Sequence, residues 1–372
     1  MNLKKIAILQ LCYADFEALE ISLACITKLT NPNIHIYLLQ NGRGTYDTER
    51  TYRVCKRYEN LFSDRITVVD WVKPNYPYYS IRELLNSDTM KQYDYICKID
   101  DDVFPITDNW IENLISCYED SLKKYGSELA YVTTLVNNNP WGFKQLVDGS
   151  SELSNEFQKI SISHSVGNKN ADDSVPYFEV GKGDIYDGGQ GSVWKLPFYA
   201  RWIHSKTTCN PSYFIKIVSE NTYKEVSNDK RYSINCLLFR KDLWNEIDIN
   251  NSDDEYCLFV YCKNNNKKII ANTQIPMVHI AFFSQREENR DLIQKIRDTY
   301  SSYLSLNYPI SLCSSKEIEN ENRLRWIENK LNSQFNYFES SFADIEKKFI
   351  KIKPFYSKLF RKFKEFIKSK MK

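Results

Sequence analysis

Three short stretches concentrate residue types that do chemistry. Asp100-Asp101-Asp102 closes the apolar run Tyr95–Ile99, and the acids Asp253, Asp254 and Glu255 open a run with helical spacing (Tyr256, Leu258, Phe259, Val260). His279, one of four histidines, closes a third apolar run. Adjacent carboxylates repel one another, so the aspartate triplet fits best beside a cation. Mg²⁺ and Mn²⁺ reach proteins through one or two carboxylates and complete their shell with substrate phosphates, which points to a diphosphate-bearing substrate. A plainer reading makes the triplet an acidic loop, with Asp108 as N-cap of a helix from Trp110. The acids at 253–255 sit where a helix N-terminus favours anions, and capping alone would account for them. His279 fits either a structural role or a ligand.

The elements that must position these residues alternate. Ile6–Tyr13, Ile34–Leu39, Ile66–Val69, Tyr95–Ile99 and Leu129–Val136 read as strands; Phe16–Leu29, Tyr79–Leu85 and Trp110–Tyr125 read as helices. Such alternation predicts an α/β fold with a mostly parallel sheet and helices on both faces, whose ligands gather beyond the carboxyl ends of the strands. From 137 to 230 the pattern weakens into Asn, Ser, Gly and Asp clusters, which predicts a loop-rich insertion. Strand Ser233–Arg240, helix Glu255–Cys262 and strand Lys268–Ile280 follow, and the chain is charged and helical after Arg286. Within the insertion, Trp194, Tyr199 and Trp202 follow a glycine cluster. They suit either a wall for an acceptor sugar or core packing.

Composition narrows the class. The 372 residues are 42% hydrophobic with a net charge of +2, ample for a packed core and unlike a nucleic-acid binder. That neutrality is a sum of unlike parts. Residues 347–372 hold eleven Lys/Arg against Glu365 alone, a net +10, which leaves −8 on residues 1–346. Ten scattered cysteines without zinc spacing read as reduced core thiols of a cytosolic protein. The opening Met1–Ala14 imitates a signal peptide, but Asp15, Glu17 and Glu20 follow at once, so it reads as a buried strand.

The C-terminal region carries its own pattern. Leu331, Phe335, Phe338, Phe342, Ile345, Phe349 and Ile352 alternate spacings of four and three, which fits a coiled-coil seam that self-associates or a helix docked on its own domain. Beyond Pro354, Phe355, Leu359, Phe360, Phe363, Phe366 and Ile367 lie among lysines and arginines, the pattern of an amphipathic helix on an anionic membrane. The expected domains are therefore a body over 1–285, a helical or coiled-coil region over 286–353 and a basic tail helix over 354–372. A peripheral place on the cytoplasmic face of a membrane is expected.

The order of the chemical features resembles that of the GT-A glycosyltransferases, most closely the inverting family 2 type: an Asp-rich strand end after four β/α units, a distant acidic helix start, and a His closing the next strand. The resemblance covers about residues 4–285. It implies a Rossmann-like GT-A fold and a divalent-metal-dependent transfer from a nucleoside-diphosphate sugar, UDP favoured, to a glycan or lipid-linked acceptor. Carried over by position, Asp102 and His279 hold Mn²⁺ or Mg²⁺, and Asp100 lies near the ribose with Asp101 beside it. Leu11, Tyr13 and Asp70 contact the nucleotide, and the general base is Asp254, with Asp253 and Glu255 as its neighbours. Gln40-Asn41-Gly42 stands where many relatives have an Asp, and the 137–230 insertion has no placed counterpart. The alternatives are a retaining transferase and a non-catalytic membrane scaffold assembled by the coiled coil. A haloacid-dehalogenase-type phosphatase would carry its Asp pair at the first strand, and a nucleotidyltransferase would have a Gly-rich loop where Leu11-Cys-Tyr-Ala-Asp stands.

Overall fold

The expected alternation is present in the computed structural model, which describes residues 5–42, 44–71, 76–165, 197–218, 223–228, 235–248, 253–280 and 290–305. β1 (Ile6–Cys12), α1 (Phe16–Leu29), β2 (His35–Gln40), α2 (Tyr46–Leu61), β3 (Ile66–Asp70), α3 (Pro77–Asn86) and β4 (Tyr95–Ile99) form the first part. β5 (Val103–Pro105), α4 (Trp110–Tyr125) and β6 (Leu129–Val136) follow. Then come α5 (Pro140–Gly149), α6 (Ser151–Ser165), α7 (Pro197–Lys206), α8 (Pro211–Val218) and β7 (Tyr223–Val226). β8 (Cys236–Arg240), α9 (Leu243–Glu246), α10 (Asp254–Asn264), β9 (Lys268–His279) and helices Arg290–Thr299 and Ser301–Ser305 complete the described elements.

The nine strands form one sheet in the order β3-β2-β1-β4-β8-β6-β9-β5, with β7 on β9, and helices flank it. β1, β2, β3, β4, β6 and β9 run the same way; β5, β7 and β8 run against them. β4 and β6 are buried at every residue, as strands covered on both faces must be. This direction pattern brings the carboxyl ends of six strands and the amino end of β8 to one edge. The acidic triplet, His279 and the end of β6 all lie on that edge.

Local chemistry fixes the elements. Asp15 caps α1 through the Ala18 amide, and the helix ends on a buried guanidinium: Arg65, only 6% exposed, donates to the carbonyls of Thr27 (2.8 Å), Thr30 (2.9 Å), Ile34 (3.2 Å) and Asn31 (3.3 Å). A cation at a helix C-terminus satisfies carbonyls that have no intrahelical partner. α2, for which the sequence showed no apolar period, begins with a Thr45–Thr48 capping box and buries a stripe of Thr48, Thr51, Cys55 and Tyr58.

Several expectations change. The insertion is helical rather than loop-rich, with α5 to α8 in its described parts; residues 166–196, which include Trp194, lie outside the described residues. Asp108 does not cap α4: the cap position is Asn109 in a left-handed conformation (φ 55°), without a side-chain bond. The body also does not end at 285. The chain divides into units Met1–Tyr308 and Pro309–Lys372, and helix Arg290–Thr299 buries Leu292, Ile293 and Ile296 in the core of the first. The Arg297 guanidinium meets Glu20 of α1, which also pairs with Arg57. The second unit, with the coiled-coil and basic-tail expectations, lies outside the described residues. No helix among the described residues is long and apolar enough to cross a membrane. The nine described cysteines are free, and eight are buried.

Replacing Arg65 by Met strips the α1 terminus of its donor and leaves buried carbonyls unsatisfied. The expected loss is about 2–4 kcal/mol of unfolding free energy, read as a lower urea midpoint with unchanged m-value; a wild-type midpoint would refute the capping role.

Candidate active site

The acidic triplet is the turn between β4 and β5. Asp100 ends β4, its carbonyl accepts the Val103 amide (3.3 Å), and the chain reverses to pair antiparallel with the end of β9, Val103 opposite His279. This register brings Asp102 against the strand end, where its carbonyl accepts the Ile280 amide (3.0 Å). Behind the turn, the buried Gln10 amide donates to Ser22 Oγ (2.7 Å) and the Asp100 carbonyl (3.2 Å), and Ser22 Oγ donates to the Val103 carbonyl (2.6 Å). Asp101 Oδ2 accepts the Tyr13 amide (2.9 Å), which ties the β1–α1 loop to the triplet.

His279 Nε2 lies 3.2 Å from Asp102 Oδ2, with both side chains about 95% buried. Its Nδ1 lies 2.7 Å from the Asn138 carbonyl, which can only accept, so Nδ1 carries a proton and Nε2 is the atom turned to Asp102. Burial works against a charged His279, but Asp102 outweighs it and raises the imidazole above its ordinary range. Burial raises Asp100 as well; Lys98 opposes that, while Asp254 and Asp102 add repulsion, and the carboxyl stays above its usual range.

A buried cation organises the rest. Lys98, 1% exposed in the middle of β4, places Nζ 2.9 Å from Asp100 Oδ1 and 2.7 Å from Asp254 Oδ2. Burial alone would discharge an ammonium, but Asp100, Asp254 and Glu255 together hold Lys98 well above the usual lysine range. Asp100 Oδ2 also accepts from Asn235 Nδ2 (3.1 Å), just ahead of β8. Asp254 is buried at the first turn of α10, whereas the half-buried Asp253 is its N-cap and accepts the Tyr256 amide (2.9 Å). The capping explanation of these acids thus applies to Asp253.

A second polar layer lies behind His279. Asn137 Oδ1 accepts the His279 amide (2.9 Å), and Asn137 Nδ2 donates to Thr207 Oγ1 (2.8 Å) and Thr208 Oγ1 (2.9 Å). His204 of α7 lies 2.6 Å from Thr208 Oγ1 through Nδ1 and 3.3 Å from Asn138 Nδ2 through Nε2. Complete burial, helped by the nearby His279, pushes His204 down to about 3, so the ring is neutral.

The donor set suits a divalent cation with few protein ligands. Among the described residues no three His, Cys, Asp or Glu converge as a cage. Asp102 Oδ2 and His279 Nε2 do converge, and Mg²⁺ or Mn²⁺ bound with substrate phosphates needs no more than such a pair. The buried, mutually repelling carboxylates are the environment a cation relieves.

The nucleotide candidates share the edge. Leu11 is half-buried near the end of β1, Tyr13 is 40% exposed just beyond it, and Asp70 is exposed at the end of β3, with Gln40 between Cys12 and Asp70 in register. The two acceptor candidates among the described residues do not form an open wall. Tyr199 is fully buried, its ring 5.7 Å from Phe157. Trp202 packs between Phe143 (5.9 Å) and Phe157 (5.7 Å) and donates to Glu156 (3.2 Å). Both belong to the packing of α5 to α7. Sequence reasoning missed Lys98, Asn137, Asn138, His204 and Asn235. A lysine inside an apolar strand was a visible signal for the first; the others carry none.

No family model matches the chain, and no curated protein matches it. Solved structures similar to it include TarS of S. aureus, at 10% identity and a TM-score of 0.37 over 83% of this chain and 44% of that one. A 1–349 form of TarS aligns at 10% identity and 0.38, over 80% of this chain and 65% of that one. GalNAc-T7 with UDP, GalNAc and Mn²⁺ aligns at 9% identity and 0.42, over 88% of this chain and 50% of that one. The chain thus spans less than two thirds of the length of each.

Proposed function

We propose that this chain is a GT-A glycosyltransferase of the inverting, family 2 kind, which moves a sugar from a nucleoside diphosphate, UDP foremost, to a hydroxyl of a glycan or lipid-linked acceptor. One observation carries the reading: the β4–β5 turn, the end of β9 and the first turn of α10, far apart in sequence, bring Asp100 and Asp254 together on Lys98 and Asp102 against His279 at one sheet edge.

In this reading Asp102 and His279 hold Mn²⁺ or Mg²⁺, which as a Lewis acid neutralises charge on the departing diphosphate when bound. The acceptor oxygen attacks the anomeric carbon as the bond from that carbon to the diphosphate oxygen breaks, and Asp254 takes the hydroxyl proton. One displacement inverts the configuration. Asp254 is favoured over its neighbours because Asp253 is engaged as a helix cap, while Asp254 reaches Lys98 and through it the triplet. Lys98, held as an ammonium, fixes Asp254 and Asp100 at a set separation without itself accepting a proton. Tyr13, Leu11 and Asp70 line the edge for the nucleotide, Asp101 holding the Tyr13 backbone there.

The basic tail is part of the proposal. Phe355–Lys370 docks on an anionic membrane face, each basic residue near the surface adding about 1 kcal/mol, and so presents the body to lipid-linked or surface acceptors. The heptad stripe before it provides for self-association.

Purified protein with Mn²⁺ is expected to hydrolyse or transfer from a nucleotide sugar, and Asp102→Ala to abolish this. Asp254→Asn should cut transfer by about 10²–10⁴-fold while calorimetric UDP binding with Mn²⁺ stays within about twofold of wild type. Unchanged turnover in Asp254→Asn would remove it as the base. Truncation before Phe355 should release the protein from anionic liposomes and leave soluble turnover intact; equal liposome pelleting of both forms would refute the membrane role.

A further inference from the structure

The contacts behind His279 form a circuit in which the hydrogen-bond directions at Asn137 and His279 are fixed by chemistry. A backbone N–H only donates, so the Asn137 atom facing the His279 amide is Oδ1, and Nδ2 must face the threonines. Thr207 Oγ1 donates to the Ile203 carbonyl (2.6 Å), which leaves its lone pairs to accept from Asn137. On the other branch, Asn138 presents its carbonyl to His279 Nδ1 and its side-chain Nδ2 to His204 Nε2. The neutral His204 meets Thr208 Oγ1 through Nδ1 (2.6 Å), with Asn137 Nδ2 3.5 Å from the same nitrogen. Asn137, His204, Thr207 and Thr208 are fully buried, and Asn138 is too.

We propose that Asn137, His204 and Thr208 are positioning residues that fix the ring orientation and tautomer of His279, so that helix α7 of the insertion sets the affinity of the Asp102–His279 pair for a divalent cation. The inference rests on the metal role of that pair. The logic is that of an outer hydrogen-bonded layer. A ring whose Nδ1–H is pinned to a carbonyl can turn only Nε2 to the metal, and the partners that hold the carbonyl hold the ligand. Asn137 and Asn138 are consecutive at the end of β6, so both branches grip the same peptide segment, one from the His279 backbone and one from its ring. If α7 withdraws, both anchors of His279 loosen together.

The test uses the full chain and measures Mn²⁺ affinity by electron paramagnetic resonance with UDP present. His204→Phe keeps a ring but removes its hydrogen bonds, and Thr208→Val removes a hydroxyl from an otherwise isosteric side chain, so the two variants perturb the fold to different degrees. Each is expected to weaken Mn²⁺ on the order of 10-fold, and Thr208→Ser to restore the affinity. In ¹⁵N-histidine spectra of the metal-free proteins, the His279 ring signals should shift in both variants. Phe214→Leu, a core change in the neighbouring helix at a side chain with no hydrogen-bonding group, should lower the melting temperature without moving the Mn²⁺ affinity. Wild-type affinity in folded His204→Phe and Thr208→Val overturns the positioning role while leaving the metal site intact. A wild-type protein that binds no Mn²⁺ overturns the metal reading itself, and the inference with it.

Discussion

Lys98 is the charge on which the acidic edge depends. An ammonium at 1% exposure in the centre of a sheet survives only if carboxylates reach it, and Asp100 and Asp254 do so at 2.9 and 2.7 Å. The dependence runs both ways. Without Lys98, Asp100 and Asp254 would repel each other in a dry setting. A buried pair of this kind adds little net stability, because desolvation offsets attraction, but removing one partner costs about 3–5 kcal/mol. Its contribution is to geometry: two segments far apart in the chain meet in one arrangement.

The reversal after β4 completes what Lys98 begins. A purely parallel sheet would carry the chain from Ile99 straight into a crossover helix, leaving the triplet in a loop. Three residues of β5 instead turn back and pair with the end of β9, so that backbone hydrogen bonds rather than side-chain reach put Asp102 beside His279. Insertion of β8 antiparallel between β4 and β6 acts in the same direction, delivering Asn235 to Asp100 from an amino end at the same edge. The site residues are thus placed by main-chain register, the least deformable part of the fold.

These two devices explain what the sequence disclosed. β1, β4 and β6 are mostly apolar because both faces are covered, and runs of that kind are visible without any partner. α2 was invisible because its buried residues are Thr48, Thr51, Val54, Cys55 and Tyr58, of which only Val54 stands out in a hydrophobic count. β5 was invisible because three residues become a strand only when β9 accepts them. The carboxylates and His279 were legible from type and position at strand and helix ends. Which acid does what was not, since the capping bond of Asp253 and the Lys98 contact of Asp254 are decided by tertiary geometry. Lys98 itself broke the apolar pattern of Tyr95–Ile99 and was the one missed residue with a signal of its own.

The insertion changes meaning most. Asparagine, serine and glycine clusters suggested loops bearing aromatics for a sugar, yet Tyr199 and Trp202 face the interior and hold α7 against α5 and α6. Burying those rings fixes α7 as a rigid body, and rigidity is what its opposite duty requires. His204 of the same helix, with Thr207 and Thr208 just past its end, supplies the neutral imidazole and the threonine hydroxyls that meet Asn137 and Asn138. Polar groups buried this deeply are costly unless each has its partner. The aromatic packing on one side and the hydrogen bonds on the other are therefore two halves of a single requirement: α7 must sit in one place for the end of β6 to keep its hold on His279.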